Sequence, residues 1–177
     1  MVHGNLRWTV LLVHNAKKTA AFYEQVFGWQ RWWDNKVDLD ARFHPVAFKS
    51  IVERANAHLI IMGEGESSKW ADDYNAPCIA LTEYSEEIGD VRDHARKTLS
   101  CGDFVLMIHA EDIDGIYQRA IDIGGRSSSL PSDWTVPHPE GLGTIKFRTA
   151  SFFDPEGNYI EVTKKLHCPT WNQLEKK

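Results

Sequence analysis

The chain predicts an α+β fold built on a repeated strand–helix unit, and three stretches carry that prediction. Val10-Leu11-Leu12-Val13 is an apolar strand. After His14-Asn15, residues Lys17–Phe27 place Ala20, Tyr23 and Phe27 on one helical stripe, and Gly28 ends the run. The same order returns later: Phe104–Ile108 reads as a strand, and Glu111–Ile123 as a helix with Ile113, Ile116, Tyr117, Ala120 and Ile123 on its apolar face, closed by Gly124-Gly125. The two units begin roughly 95 residues apart, as in a degenerate tandem duplication. The third stretch, Ser151–Val162, reads strand, tight turn, strand.

The turn chemistry lies in Asp154-Pro155-Glu156-Gly157-Asn158, where Pro presets one backbone angle and Gly can take a positive one. Alternation then puts Tyr159, Glu161 and Thr163 on one face and Ile160 and Val162 on the other. An acid in mid-strand beside core residues points either to solvent or into a cavity.

The remaining elements follow the same reading. Gln30–Asp34 is a short aromatic strand. Val46–Glu53 and Ala57–Met62 are two more, joined through Arg54-Ala55-Asn56 as in a hairpin. In the second half, Gly143–Phe153 and Asn158–Lys164 are the third and fourth strands, and Ser127–Leu142, with Trp134 and His138, reads as a loop and a candidate pocket wall. The divisions are a first module over 5–65, a linker insertion and candidate lid over 66–101, a second module over 102–166, and a tail over 167–177. Within the insertion, Ile79–Thr82 reads as an added strand and Glu86–Leu99 has charges at helical spacing. Trp70 and Tyr74 there either cover a ligand or anchor the linker.

Composition narrows the function classes. A formal charge of −5 argues against a nucleic-acid footprint. No apolar run approaches the roughly 20 residues that span a bilayer, and Met1–Arg7 has no secretory pattern. Cys78, Cys101 and Cys168 are three, widely spaced and without a Cys-x-x-Cys pair, which suggests reduced thiols and a cytoplasmic setting. Aromatic residues at 11% supply material for lining a small-molecule pocket.

Phe22-Tyr23-Glu24-Gln25-Val26-Phe27-Gly28-Trp29 and Asp154-Pro155-Glu156-Gly157-Asn158-Tyr159-Ile160-Glu161 resemble the two signatures of the vicinal oxygen chelate superfamily. That group includes glyoxalase I, methylmalonyl-CoA epimerase, extradiol dioxygenases, fosfomycin-resistance enzymes and bleomycin-binding proteins. The resemblance spans nearly the whole chain, with one motif in each half. It implies two β-α-β-β-β modules forming a curved mixed sheet around a shared cavity, and often a homodimer.

In the metal-dependent members, ligands come from the first and last strand of each module. Carried over, those positions read Trp8, Ile60, Asp103 and Glu161. Trp and Ile cannot bind a divalent cation, so no cofactor is expected. A divalent metal on Asp103, Glu161 and His58 is the fallback, since His58 shares a strand face with Ile60.

Without a metal, Glu161 and Asp103 form a candidate acid/base pair in which one carboxylate keeps a proton. Asp103 is alternatively a turn residue. His109, on the same face as Asp103, Val105 and Met107, is a candidate proton carrier or a surface histidine. Trp8, Tyr159, Met107, Arg148, Trp134 and His138 are the candidate substrate-binding residues, with Arg148 either meeting an anionic substrate or facing outward.

Three functions are open. One is a lyase or isomerase acting by acid/base chemistry on a carbonyl-bearing or aromatic compound. The second is a non-catalytic protein that sequesters an aromatic ligand, with Trp8 as a stacking surface. The third is a metal-dependent dioxygenase. The expected partners are a small-molecule ligand and a second copy of the chain, with no nucleic acid and no membrane.

Overall fold

The computed structural model describes residues 8–38, 56–67, 77–84, 99 and 103–169. In chain order the elements are β1 (Trp8–Leu12), α1 (Ala16–Phe27), β2 (Gln30–Asp38), β3 (Asn56–Gly63), β4 (Cys78–Tyr84), β5 (Val105–His109), α2 (Ile113–Asp122), β6 (Arg126–Pro137), β7 (Thr144–Phe153) and β8 (Tyr159–His167). This is an α+β fold in which β-α-β-β-β occurs twice. The strands form two four-stranded sheets, ordered β1-β4-β3-β2 and β5-β8-β7-β6. First and last strands pair in parallel, β1 with β4 and β5 with β8, and the other neighbours are antiparallel. The chain divides into two units, Met1–Arg92 and Asp93–Lys177.

In the first unit, Asn15 caps α1 by accepting from the Lys18 backbone N–H at 2.8 Å. Gly28 closes the helix in the left-handed conformation at φ 70°. One face of the sheet lies under α1: Leu11, Ile60, Met62, Ile79 and Leu81 are buried there with Ala16, Ala20, Tyr23 and Val26 of the helix. Each such large side chain removed from water contributes roughly 1.5–3 kcal/mol. Glu83 accepts from the Ala16 backbone N–H at 2.8 Å, supplying an acceptor and a negative charge at the helix start. Arg31 ties β2 to the helix through Glu24, with Nε to Oε1 at 2.7 Å.

The other, helix-free face is apolar. Trp32, Ile61 and Ala80 are buried together, with Trp33, Leu59 and Cys78 packed against them. A register shift between Arg31 and Trp33 lets two consecutive tryptophans join one face. Trp32 Nε1 donates to the Gly65 carbonyl at 2.9 Å. A Cβ added at Gly63 would stand 2.5 Å from Trp32 and 2.8 Å from the Pro77 carbonyl oxygen, so only glycine fits there.

Two expectations are corrected here. The first module does not end at residue 65, because β4 lies within 66–101 and is the strand that pairs with β1. Residues Ile79–Thr82 are buried on both faces, so the strand lacks the alternation that would mark it as part of the sheet. The counterpart of Glu161 moves with it. Opposite the third residue of β1, Val10, stands Ala80, as Glu161 stands opposite Met107 of β5. Ile60 is instead fully buried on the α1 side. The strand expected over Val46–Glu53, Trp70, Tyr74 and most of Glu86–Leu99 lie outside the described residues.

In the second unit, Asp112 caps α2 through the Gly115 backbone N–H at 2.9 Å. Ile113, Ile116, Tyr117 and Ala120 cover Ala150, Phe152, Ile160 and Val162, all four of which are 0% exposed. Most of the expected loop Ser127–Leu142 is strand β6. Its Ser- and Pro-rich sequence hides it, because β6 is an edge strand with register shifts around Ser129 that accommodate Pro131.

The turn between β7 and β8 is built on Asp154, which is 1% exposed. Its Oδ1 accepts from the backbone N–H groups of Glu156 and Asn158 at 2.9 and 2.8 Å, and its Oδ2 from Asn158 Nδ2 at 2.9 Å. Gly157 completes the turn at φ 80°.

Candidate functional site

Alternation assigns the two faces of the second sheet. Ala150, Phe152, Ile160 and Val162 face α2, so Thr149, Ser151, Phe153, Tyr159, Glu161 and Thr163 share the helix-free face. Glu161 is partly buried in mid-strand, opposite Met107 on β5 and Ser151 on β7. Ser151 in turn meets Ser129 of β6, with the two hydroxyls 2.7 Å apart. One strand position further, Trp134 Nε1 donates to Thr149 Oγ1 at 2.7 Å, and Thr149 Oγ1 lies 3.1 Å from Thr163 Oγ1. Trp134 stacks on Phe147 at 4.9 Å, and Tyr159 meets Phe153 edge-on at 5.2 Å. The result is a carboxylate set among hydroxyls and aromatic rings.

Of the residues expected at the site, the sheet brings Glu161, Met107, His109, Tyr159 and Trp134 to this one face. Met107 is 62% exposed on edge strand β5. His109 ends that strand opposite Thr163 and is also exposed. Asp103 precedes β5 by two residues. It falls four residues before Met107, roughly 13 Å along the strand from the level of Glu161, so the two are not neighbouring carboxylates.

Arg148 belongs to the α2 side. It bonds Asp114 of α2 at 2.6 and 2.7 Å and Asp133 of β6 at 2.8 Å. Its side-chain hydrogen bonds hold Asp114 below the usual carboxylate range, and those from Lys146 and then Arg148 do the same for Asp133. His138 organises the β6–β7 turn, where its Nδ1 accepts from the Glu140 backbone N–H at 3.1 Å. Trp8 opens β1 opposite Cys78; its register counterpart in the second unit is Val105, which opens β5 opposite Tyr159.

His58 lies on the α1 side of the first sheet, with Nε2 2.5 Å from Asp34 and Nδ1 4.0 Å from Glu83. Hydrogen bonding from His58 lowers the pKa of Asp34. Asp103 and Glu161 are separated along the sheet, and the described residues contain no group of three His, Cys, Asp or Glu side chains placed to hold a metal ion.

Beyond the candidates that the sequence offers, Ser129, Ser151, Thr149, Thr163 and Arg126 stand on this face. Arg126 opens β6 opposite Phe153, with its guanidinium 4.6 Å from the ring centroid. The Ser- and Pro-rich run after Arg126 reads as loop, although Gly124-Gly125 just before it marks where a helix ends and a strand can begin.

The sequence matches the model of the Glyoxalase/Bleomycin resistance protein/Dioxygenase superfamily over residues 5–162. The chain belongs to this superfamily. The solved structures agree on the fold. A glyoxalase family protein from Bacillus cereus superposes with a TM-score of 0.64 at 17% identity, covering 94% of this chain and 99% of its own. A glyoxalase/bleomycin resistance protein/dioxygenase family enzyme from Burkholderia phytofirmans gives 0.51 at 18% identity, covering 92% and 100%. A glyoxalase I mutant from Zea mays gives 0.53 at 16% identity, where the match covers 90% of this chain and 47% of the maize chain. No curated protein matches the chain. Within the superfamily's fold, Asp154 and Gly157 of the second motif have turn-building roles here, while Glu161 is its one acid on the helix-free face. No helix among the described residues is long and apolar enough to cross a membrane.

Proposed function

We propose that this protein is a small-molecule enzyme of the lyase or isomerase type, with Glu161 as its general base. The observation that carries the reading is that the Glu161 carboxylate is uncommitted: among the described residues no hydrogen bond or ion pair engages it. Other carboxylates of the second unit are held by cations, Asp114 and Asp133 by Arg148 and Glu111 by Lys164 at 2.8 Å. A partly buried, unpaired carboxylate is suited to take a proton from carbon next to a carbonyl. Thr163 and Ser151 flank it and can orient a carbonyl or hydroxyl of the substrate. His109 lies diagonally from Glu161 across the β5–β8 pair, within reach of a water-bridged proton return. No step runs through a metal. The free thiols of Cys78 and Cys168 support a reducing, cytoplasmic setting.

The test is hydrogen–deuterium exchange at carbon, followed by NMR in D2O over a panel of 2-oxo acids, 2-hydroxy ketones and 1,3-dicarbonyls. Wild-type protein should accelerate exchange for at least one class, and Glu161→Gln should lower that rate by about 10²- to 10⁴-fold. Equal rates for the two proteins would remove Glu161 from the chemistry.

A second reading, a non-catalytic protein that sequesters an aromatic ligand, is favoured by the Trp32, Trp33 and Leu59 cluster on the helix-free face of the first sheet. Ligand binding without any exchange at carbon would select it.

A further inference from the structure

We propose that Thr163 is the hydrogen-bond donor that holds the substrate's carbonyl oxygen, and that Trp134 and Thr149 are positioning residues that fix the direction of its hydroxyl. The proposal rests on the reading of Glu161 and its neighbours as a ligand site, and it names the group that engages the oxygen. The three side chains form one chain of hydrogen bonds across β6, β7 and β8. Trp134 Nε1 donates to Thr149 Oγ1 at 2.7 Å, and Thr149 Oγ1 lies 3.1 Å from Thr163 Oγ1. An indole N–H is a donor only, so the first link has one direction. A hydroxyl that accepts a hydrogen bond becomes a better donor, so the second link runs on from Thr149 to Thr163. Thr163 Oγ1 then accepts, and its own proton is left to give. Among the described residues no other group engages the Thr163 hydroxyl.

The place of Thr163 suits the task. It stands two residues from Glu161 on β8 and on the same helix-free face, with Cα atoms roughly 7 Å apart. Base and donor therefore address neighbouring atoms of one ligand. As Glu161 takes the proton from carbon, the C–H electron pair becomes the C=C bond of an enolate, and the carbonyl oxygen takes the negative charge. A fixed O–H donor at that oxygen stabilises the charge as it develops. The Thr163 proton stays on Thr163, and Glu161 returns its own to carbon. The Ser129–Ser151 pair has no such bias, because either hydroxyl can be the donor. The first unit supplies the comparison. By register, Val37, Leu59 and Thr82 occupy the places of Trp134, Thr149 and Thr163, and Ala80 occupies that of Glu161. There the Thr82 hydroxyl has no hydrogen-bond partner. The acid and the directed hydroxyl occur together in one unit and are both missing from the other, as two parts of one reaction should be.

The aromatic ketone 2-acetylnaphthalene and 2-isopropenylnaphthalene, in which a methylene replaces the oxygen, test this directly. Fluorescence titration gives a ketone-to-alkene affinity ratio for each variant, and isotope-edited infrared spectra report hydrogen bonding at the bound carbonyl. Thr163→Val should lower the ratio by about 2- to 10-fold, the worth of a neutral hydrogen bond, and move the carbonyl stretch to higher frequency. Thr163→Ser should keep both near wild type. Trp134→Phe keeps a ring against Phe147 but removes the N–H, so it should change both in the same direction and by less. Circular dichroism checks that the variants are folded. The proposal is overturned if wild type shows no saturable ketone binding, if Thr163→Val leaves the ratio and the stretch unchanged, or if it weakens both probes alike, the mark of a packing role only. A stretch unchanged in Trp134→Phe overturns it as well. Because binding and vibration are read rather than turnover, loss of the Glu161 chemistry would leave this result standing, and the reverse holds as well.

Discussion

Arg148 of β7 clasps Asp114 of α2 side-on, with Nη2 2.6 Å from Oδ1 and Nε 2.7 Å from Oδ2. The pair joins the first turn of the helix to the sheet beneath it, and Asp133 on β6 holds the remaining side of the guanidinium. Arg148→Gln should lower the thermal midpoint, because it removes both contacts at once. The acid dependence has a definite sign. Asp114 and Asp133 are held below their ordinary value of 3.8 by side-chain hydrogen bonds, from Arg148 for Asp114 and from Lys146 then Arg148 for Asp133. Their stabilisation is therefore present above that value and lost as pH falls through the lowered folded-state values. The difference between wild type and Arg148→Gln should narrow in acid, and also in high salt, because these groups are exposed. A gap that widens on acidification would contradict this.

Asp154 holds the turn that delivers Glu161. It is buried and accepts three hydrogen bonds from Glu156 and Asn158. Asp154→Ala should destabilise the protein by about 3 kcal/mol, at roughly 1 kcal/mol for each bond lost. Urea denaturation measures it, and a change under about 0.5 kcal/mol, the range of an ordinary surface substitution, would show that the turn forms without this side chain.

Thr82 presents the reverse case. Its hydroxyl is buried, at 2% exposed, and has no hydrogen-bond partner. The register explains why: Thr82 faces Leu12 and Leu59, whereas Thr163 in the second unit faces His109 and Thr149 and reaches the Thr149 hydroxyl at 3.1 Å. Thr82→Val removes an unsatisfied polar group at nearly constant shape, so the denaturation midpoint should rise, by about 1 kcal/mol in unfolding free energy. A midpoint at or below wild type is the contrary result.

Exposed apolar side chains stand on the β1 and β5 edges of the two sheets. Val10 and Leu12 on β1 are 44% and 48% exposed, and Phe104 and Met107, beside and on β5, are 53% and 62% exposed. Edge strands of this kind call for cover, and a second copy of the chain is the expected cover. Light scattering at micromolar concentration should give twice the chain mass, and Met107→Lys should shift it toward the monomer. A monomeric wild type would sink the expectation.

The periodicity of α1 and α2, the repeat of strand and helix, the glycine stops and the Asp154 turn were all legible in the amino-acid order. Each is a local property, fixed by side chains within a few residues of one another. The alternation that put Tyr159, Glu161 and Thr163 on one face was equally local. Pairing between distant strands was not. Only the tertiary structure showed that β4, rather than β3, runs beside β1, and so that Ala80 rather than Ile60 answers Glu161. Strand alternation says which side chains share a face but not which face the helix will cover. That choice sent Arg148 to Asp114 and brought Arg126 beside Phe153. Register and face are set by long-range packing, which no window of the sequence contains.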